Sequence, residues 1–289
     1  MCDRADVLGL PADDTLRVLD LEGVRPRSTP RVAFHRWSAP LPIAQLVSVG
    51  ADALALGPEL FLLEMARWVD ELDLLLLCHE LCGGYRIDRG CPGGFAARPP
   101  LTSVRALERC VERNAGVLGA KRLRRVLPFV GEGSESPMET ALALIVGLPI
   151  SRGGLGIPRP VHNYRLDPGR RWRGVAEKGH YRCDLYWPDR CVAVEYDGEL
   201  SHTGAERIAA DARRRAALQA MGVTVVSVTR DQLYHPASFQ CLARVLRRVL
   251  RVRSRVRCSD YQERQGRLRA RVLGYERDMS DIARLIRFG

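Results

Sequence analysis

The stretch CDLYWPDRCVAVEYDG, residues 183–198, carries three carboxylates, Asp184, Glu195 and Asp197, on two short runs otherwise made of β-branched, aromatic and small apolar residues. Oxygen donors set this close together suit a hard divalent cation such as Mg²⁺, which can polarise a phosphate and activate water. The two runs read as strands joined by a tight turn with Asp189 and Arg190 as its two-residue loop. That closure pairs Trp187 with Val192, Leu185 with Val194 and Cys183 with Tyr196 on an apolar face. On the other face Tyr186 meets Ala193, Asp184 meets Glu195 and Arg182 meets Asp197. A slip of one residue would drive the acids into the core, so the pattern selects its own register. Asp184 and Glu195 then stand opposite one another with Cβ atoms roughly 5 Å apart, a repulsive pair that a cation would relieve. A solvated polar sheet face, with Arg182 neutralising one acid, is the competing reading.

Several other side chains are candidates for the same site. Glu139 follows Ser136 and Pro137 at the start of an apolar run, so it serves equally well as the acid of a helix capping box. His202 lies just past the second strand and could move a proton near neutral pH. Lys178 precedes the first strand, where an ammonium could reach a phosphate. Asp211 with Arg214 or Arg215 has the spacing of an ordinary helix-surface ion pair. Cys78, His79, Cys82 and Cys91 offer metal-ligand types, but cysteines four apart on a helix are more economically read as small buried residues.

The elements that must position these residues are legible in outline. Residues 1–130 read as a mixed domain, with a strand-like run LPIAQLVSV and helical stretches over 58–81 and 102–130 interrupted by the Gly/Pro-rich segment 83–100. The polar GEGSES at 131–136 reads as a flexible boundary. Over 131–250 the order is helix, three strands, helix, strand, helix: α-β-β-β-α-β-α, a compact α/β unit. Gly222 ends the second helix, and the strand that follows should return as a right-handed parallel crossover. Residues 251–289 read as a basic, helical tail.

Charge points toward a polyanion. The chain's net charge is +11, and the segment from Arg244 to Gly289 alone carries fourteen arginines against five acids. Nine cysteines without a secretion signal fit reduced thiols, and no apolar run is long enough to span a bilayer, so the expectation is a cytoplasmic protein with no membrane contact.

Taken together, SPMET at 136–140, YRCDLYWPDRCVAVEYDG at 181–198, and Asp211, Arg214, Arg215 and Leu218 leading to GVTVVSVT at 222–229 resemble the PD-(D/E)XK nuclease superfamily. The similarity is to its very-short-patch-repair-like endonuclease domains, found in many uncharacterised bacterial proteins. The resemblance implies a restriction-endonuclease-like core, a mixed sheet flanked by helices. It implies Mg²⁺ (or Mn²⁺ in its place) held by Asp184 and Glu195 with Asp197, and Glu139 as the acid of the first helix. It also implies metal-dependent hydrolysis of DNA phosphodiester bonds. Arg182, Arg207, Arg214 and Arg215 are the cations expected to hold the DNA backbone. Asp197 stands where the superfamily usually has a lysine, and the histidine that commonly follows Asp-Gly is displaced to His202. The general base is therefore His202, Lys178 or a metal-bound hydroxide. Cutting both strands of a duplex would need two such sites, which a homodimer would supply. Residues before 131 resemble the region preceding such domains in proteins related to AbiEi-type antitoxins. The alternative that follows is a non-catalytic DNA-binding regulator built on a degenerate nuclease fold.

Overall fold

The structure is a computed structural model, and the described residues are 16–20, 27, 29, 32–37, 45–48, 54–88, 90–172, 179–198, 205–253, 256 and 258–274. Its first elements are a parallel pair, β1 (Leu16–Asp20) and β2 (Val32–Arg36), and an antiparallel pair, β3 (Leu46–Ser48) and β4 (Leu54–Leu56). Helices α1 (Pro58–Trp68) and α2 (Glu71–Cys82) follow, then a hairpin of β5 (Tyr85–Ile87) and β6 (Phe95–Ala97), then α3 (Val104–Arg113) and α4 (Ala120–Val126). The remainder runs α5 (Pro137–Gly147), β7 (Val161–Leu166), a helical turn α6 (Gly169–Trp172), β8 (Tyr181–Trp187) and β9 (Val192–Asp197). It continues through α7 (Ala205–Ala220), β10 (Thr224–Thr229), α8 (Arg230–Tyr234), α9 (Pro236–Val249) and α10 (Tyr261–Leu273). The chain is thus a mixed α/β protein, and the expected helix-strand order beyond residue 131 is present.

Two long helical runs expected before residue 131 are each broken. The 58–81 run stops at Val69 because the Asp70 carboxylate accepts from the N–H groups of Leu72 and Asp73, starting a new helix where the old one would have continued. The 102–130 run breaks between Asn114 and Gly119, whose φ of +97° suits a residue without a Cβ. The Gly/Pro-rich segment after Cys82 carries the β5–β6 hairpin.

β7 to β10 form one sheet in the order β10-β9-β8-β7, with β9 and β10 parallel as the crossover reading required and the other pairs antiparallel. The hairpin register is the expected one at Leu185–Val194, Tyr186–Ala193 and Trp187–Val192. Its connection is longer than the two residues expected, because Pro188–Arg190 make a 3-10 turn and Cys191 takes a left-handed φ of +50° before the strand resumes. Beyond Leu185 the ladder with β9 stops, so Asp184 does not pair with Glu195 as expected, nor Cys183 with Tyr196, nor Arg182 with Asp197.

Packing explains the break. Leu185, Trp187, Val192 and Val194 belong to the main core with α5, whereas Tyr181, Cys183, Tyr186 and Ala193 pack with Ala217 and Leu218 of α7 and with Val223. Cys183 and Leu185 are two residues apart yet bury on opposite sides of the sheet. The alternation of β8 therefore reverses at Asp184, and β7 reverses beside it at Asn163, which has φ +46°. On either side of Asn163, His162 faces His79 of α2 with ring centroids 5.8 Å apart, while Tyr164 stacks on Tyr186 at 4.7 Å.

α5 is the hub. Nearly every residue from Pro137 to Val146 is buried, and the helix touches β8 and β9 as well as α2 and α10. Each fully buried Leu or Ile there contributes about 1.5–3 kcal/mol relative to exposure. One cluster of buried side chains draws on residues from Trp37 to Val272, on both sides of the 131–136 segment. Ser134 is fully buried, and its hydroxyl donates to the Ser136 carbonyl at 3.0 Å.

Where the tail is described, α10 is a helix packed against the core, and its arginines bind protein groups. Arg271 holds Asp70 at 2.7 Å and also Asp73; Arg269 donates to the Leu233 carbonyl at 2.7 Å and lies 4.5 Å over the Phe239 ring; Arg264 binds Asp260 and the Ser151 carbonyl. The Tyr261 hydroxyl donates to the Gly154 carbonyl at 3.1 Å, tying this helix to the turn after α5. A Cβ on Gly154 would lie 2.0 Å from the Leu148 carbonyl oxygen, backbone that cannot step aside. Gly154→Ala is expected to lower unfolding stability by about 1–3 kcal/mol, read from urea denaturation; an unchanged midpoint would show that the α5–α10 junction has slack.

Candidate functional site

Where β8 and β9 part, the freed Tyr196 N–H donates to Asp184 Oδ2 at 2.9 Å. The carboxylate thus replaces a lost ladder bond, and it sits between the two faces of the sheet. On the α5 side is Glu139. Its Oε2 accepts from the Glu135 N–H at 2.9 Å and from Asn163 Nδ2 at 2.7 Å, and its Oε1 accepts from the Ser136 hydroxyl at 3.0 Å. The Ser136 hydroxyl in turn accepts from the Glu139 N–H at 3.2 Å, so the expected N-cap is present and Glu139 both caps the helix and faces the sheet break. On the α7 side is Glu195, whose two oxygens are held by both terminal nitrogens of Arg214, the Nη2 contact being 2.6 Å. The same Nη2 donates to the Arg182 carbonyl at 2.5 Å.

Asp184, Glu195 and Arg214 border an open cleft of about 770 Å³ that is also lined by Asp197, Asp211, Arg182, Arg215 and His180, among others. Burial, with the nearby Glu195 charge adding to it, pushes the Asp184 carboxyl above its usual range despite the Tyr196 N–H and the arginines. Burial likewise raises Glu139, with the Asp184 charge contributing. Arg214 is shifted upward by its bonds to Glu195. Burial and then Glu195 push the Cys183 thiol, which lies beneath the cleft, up to about 12.

The expected residues are brought together in part. Glu139, Asp184 and Glu195 meet around the sheet break, and Asp197 and Arg215 line the same cleft, with Arg215 3.4 Å from the Ser227 hydroxyl. Arg182 does not neutralise Asp197, because its guanidinium reaches Glu135 at 2.5 Å. Asp197 itself is exposed. Lys178, His202 and the Arg207 side chain lie outside the described residues. Asn163 and His180 were not anticipated. Asn163 had a visible signal, an Asn in the strand-like VHNYRL, since Asn tolerates a left-handed backbone better than the residues around it.

As for a cation, Asp184 and Glu195 have the oxygen chemistry that Mg²⁺ takes. The three expected carboxylates do not gather as one donor set, and no three His, Cys, Asp or Glu side chains do so among the described residues. The physical reason is visible: Tyr196 draws Asp184 between the strands, and Arg214 draws Glu195 toward α7. Arg214 covers both Glu195 oxygens, so a cation could take Glu195 only after Arg214 released one of them. At the other early candidate, Cys78 and Cys82 are buried thiols on α2, and the described cysteines are all free.

No protein-family profile matches the chain, and no solved structure does. Two curated Mycobacterium tuberculosis proteins do match, the uncharacterized protein MT2308 of strain CDC 1551 and the uncharacterized protein Rv2248 of strain H37Rv. Each is 29% identical over 150 residues, covering 51% of this chain and 49% of the relative. The chain spans about half the length of the curated relatives it matches, and their descriptions assign no activity. No helix among the described residues is long and apolar enough to cross a membrane.

The upward shift of Asp184 has a consequence for stability. A carboxyl whose pKa is higher in the folded than in the unfolded state penalises folding increasingly as pH rises above its unfolded value, and the penalty is absent well below that value. Asp184→Asn, which keeps an oxygen for the Tyr196 N–H, is expected to raise stability at pH 7.5 by about 0.5–2 kcal/mol. The gain should shrink toward zero near pH 3.5. Denaturant titrations of both proteins across this range check it, and a pH-independent difference would refute the assigned cause.

Proposed function

We propose that the region from 131 to 250 is a metal-dependent endodeoxyribonuclease with a restriction-endonuclease-like fold. The observation that carries the reading is the placement of Asp184 and Glu195, where β8 and β9 separate, in the lining of a cleft that Arg182, Arg214 and Arg215 also line, with Glu139 held behind Asp184 by Asn163. One buried and one half-buried carboxyl with raised pKa values cost stability, and a cost of this kind concentrates at sites kept for chemistry. The helix-strand order and the parallel β9–β10 pair also support it.

In this reading Asp184 and Glu195 hold Mg²⁺, with Asp197 beside them. When bound, the cation supplies Lewis-acid polarisation of the scissile phosphate and lowers the pKa of a bound water. Arg215 and His180 meet the phosphodiester backbone from the cleft wall. Asn163 and the Ser136 cap fix Glu139 so that its carboxyl stays aimed at the sheet break. The general base would be His202 or Lys178, or none would be needed if the cation alone supplied the acidity of the attacking water. Two copies of the chain would cut the two strands of a duplex.

A second reading has its own observation. Arg214 already neutralises Glu195, as expected if the fold has lost hydrolysis and serves as a DNA-binding regulator. The readings separate on one assay, incubation with plasmid and single-stranded DNA with Mg²⁺ or Mn²⁺. The nuclease predicts cleavage lost by a factor of at least about 10² in Asp184→Asn and Glu195→Gln. Equal cutting by wild type and variants, or none by either, would sink it. Salt-sensitive DNA binding indifferent to chelator would then support the regulator.

A further inference from the structure

Arg214 makes contradictory demands on the cleft. It covers both oxygens of the carboxylate that a cation would need, yet it lies among the groups that would meet a phosphodiester backbone. Its anchor is fixed: Ala217 and Leu218, three and four residues on, are buried against the sheet, so α7 cannot carry Arg214 away. The side chain alone can exchange partners, and it is 28% exposed on the cleft side.

The planar guanidinium fork offers two parallel N–H donors to a carboxylate or to a phosphate with nearly the same geometry. If it turns from Glu195 to a phosphate oxygen, Arg214 keeps its charge-assisted bonds while Glu195 loses its counter-ion. Glu195 would then stand uncompensated in a cleft that the carboxylates of Asp184 and Asp197 also line. A divalent cation relieves that repulsion. We infer that Arg214 is an exchangeable counter-ion of Glu195, handed to a phosphodiester oxygen when nucleic acid enters the cleft, so that phosphate binding and divalent-cation binding strengthen one another.

This inference rests on the proposed metal site and adds to it the order of assembly: the full cation site forms with nucleic acid present and is suppressed without it. Because coupling is reciprocal, the cation must raise nucleic-acid affinity by the factor that nucleic acid raises cation affinity. Arg214 is a positioning residue here, and it acts by holding or releasing Glu195.

The test uses the full chain, with Mn²⁺ binding read from the paramagnetic resonance of the free ion and binding of a fluorescent duplex oligonucleotide read by anisotropy. Arg214→Gln, which removes the charge, is expected to bind Mn²⁺ about tenfold or more tightly than wild type in the absence of DNA. Wild type should bind the duplex roughly fivefold or more tightly with Mn²⁺ than without. In Arg214→Gln that ratio should fall toward one. Arg214→Lys keeps the charge but cannot cover both oxygens, so its Mn²⁺ affinity should lie between; it replaces the Gln variant if circular dichroism shows the latter unfolded. Variants that bind Mn²⁺ no more tightly than wild type would overturn the inference while leaving the cation site standing. Absence of Mn²⁺ binding in every protein, with and without duplex, would remove the cation site and the inference together.

Discussion

Asp184 takes the N–H of Tyr196 in place of a strand partner, and the arrangement around the site depends on that exchange. A sheet interior leaves few backbone donors unpaired, so parting two strands requires a substitute acceptor. A carboxylate oxygen supplies it, but only with its charge drawn between the sheet faces and its pKa raised. Asn163 bends β7 at the same level, and it also ties Glu139 to the Gly133 carbonyl through one amide nitrogen. Four residues from four elements thus share one local distortion, which no one of them could maintain alone.

The distortion is affordable because the rest of the unit is conventional. Above the break, Leu185, Trp187, Val192 and Val194 pack regularly against α5, and the Trp187 indole donates to the Pro158 carbonyl at 2.5 Å. Below it, Tyr181, Cys183 and Leu218 close a smaller core under α7. α5 then passes the constraint outward, since its far side is buried against α2 and α10. The cleft is held between two packed blocks rather than by loops.

Much of this could be read from residue types alone. Ser136, Pro137 and Glu139 announced the start of α5, Gly222 the end of α7, and the aromatic and β-branched runs set three hairpin pairs correctly. What failed was extrapolation of the alternation past Leu185, because a period of two assumes an unbroken ladder and Asp184 breaks it. The Arg214–Glu195 pair was equally hidden: Arg214 looked like a surface residue beside Asp211, and its real partner is nineteen positions away on another element. In the 58–81 run, apolar periodicity hid a start signal at Asp70. Arginine counts past Arg244 suggested a basic, polyanion-binding tail; they gave no sign that those of α10 also contact carboxylates, carbonyls and an aromatic ring of the same chain.

The bond from Arg271 to Asp70 and Asp73 joins positions about two hundred residues apart. During synthesis, the start of α2 therefore waits for its partner until almost all of the described chain has left the ribosome. Until then the bonds from Arg271 to the two carboxylates at that helix start are not made, and the pocket for α10 against α5 is open to water. Completion of the core, and with it the firm seating of α5 under the cleft, is a late event in the life of each molecule. A chain released early would carry the sheet and its acids on an unfinished support.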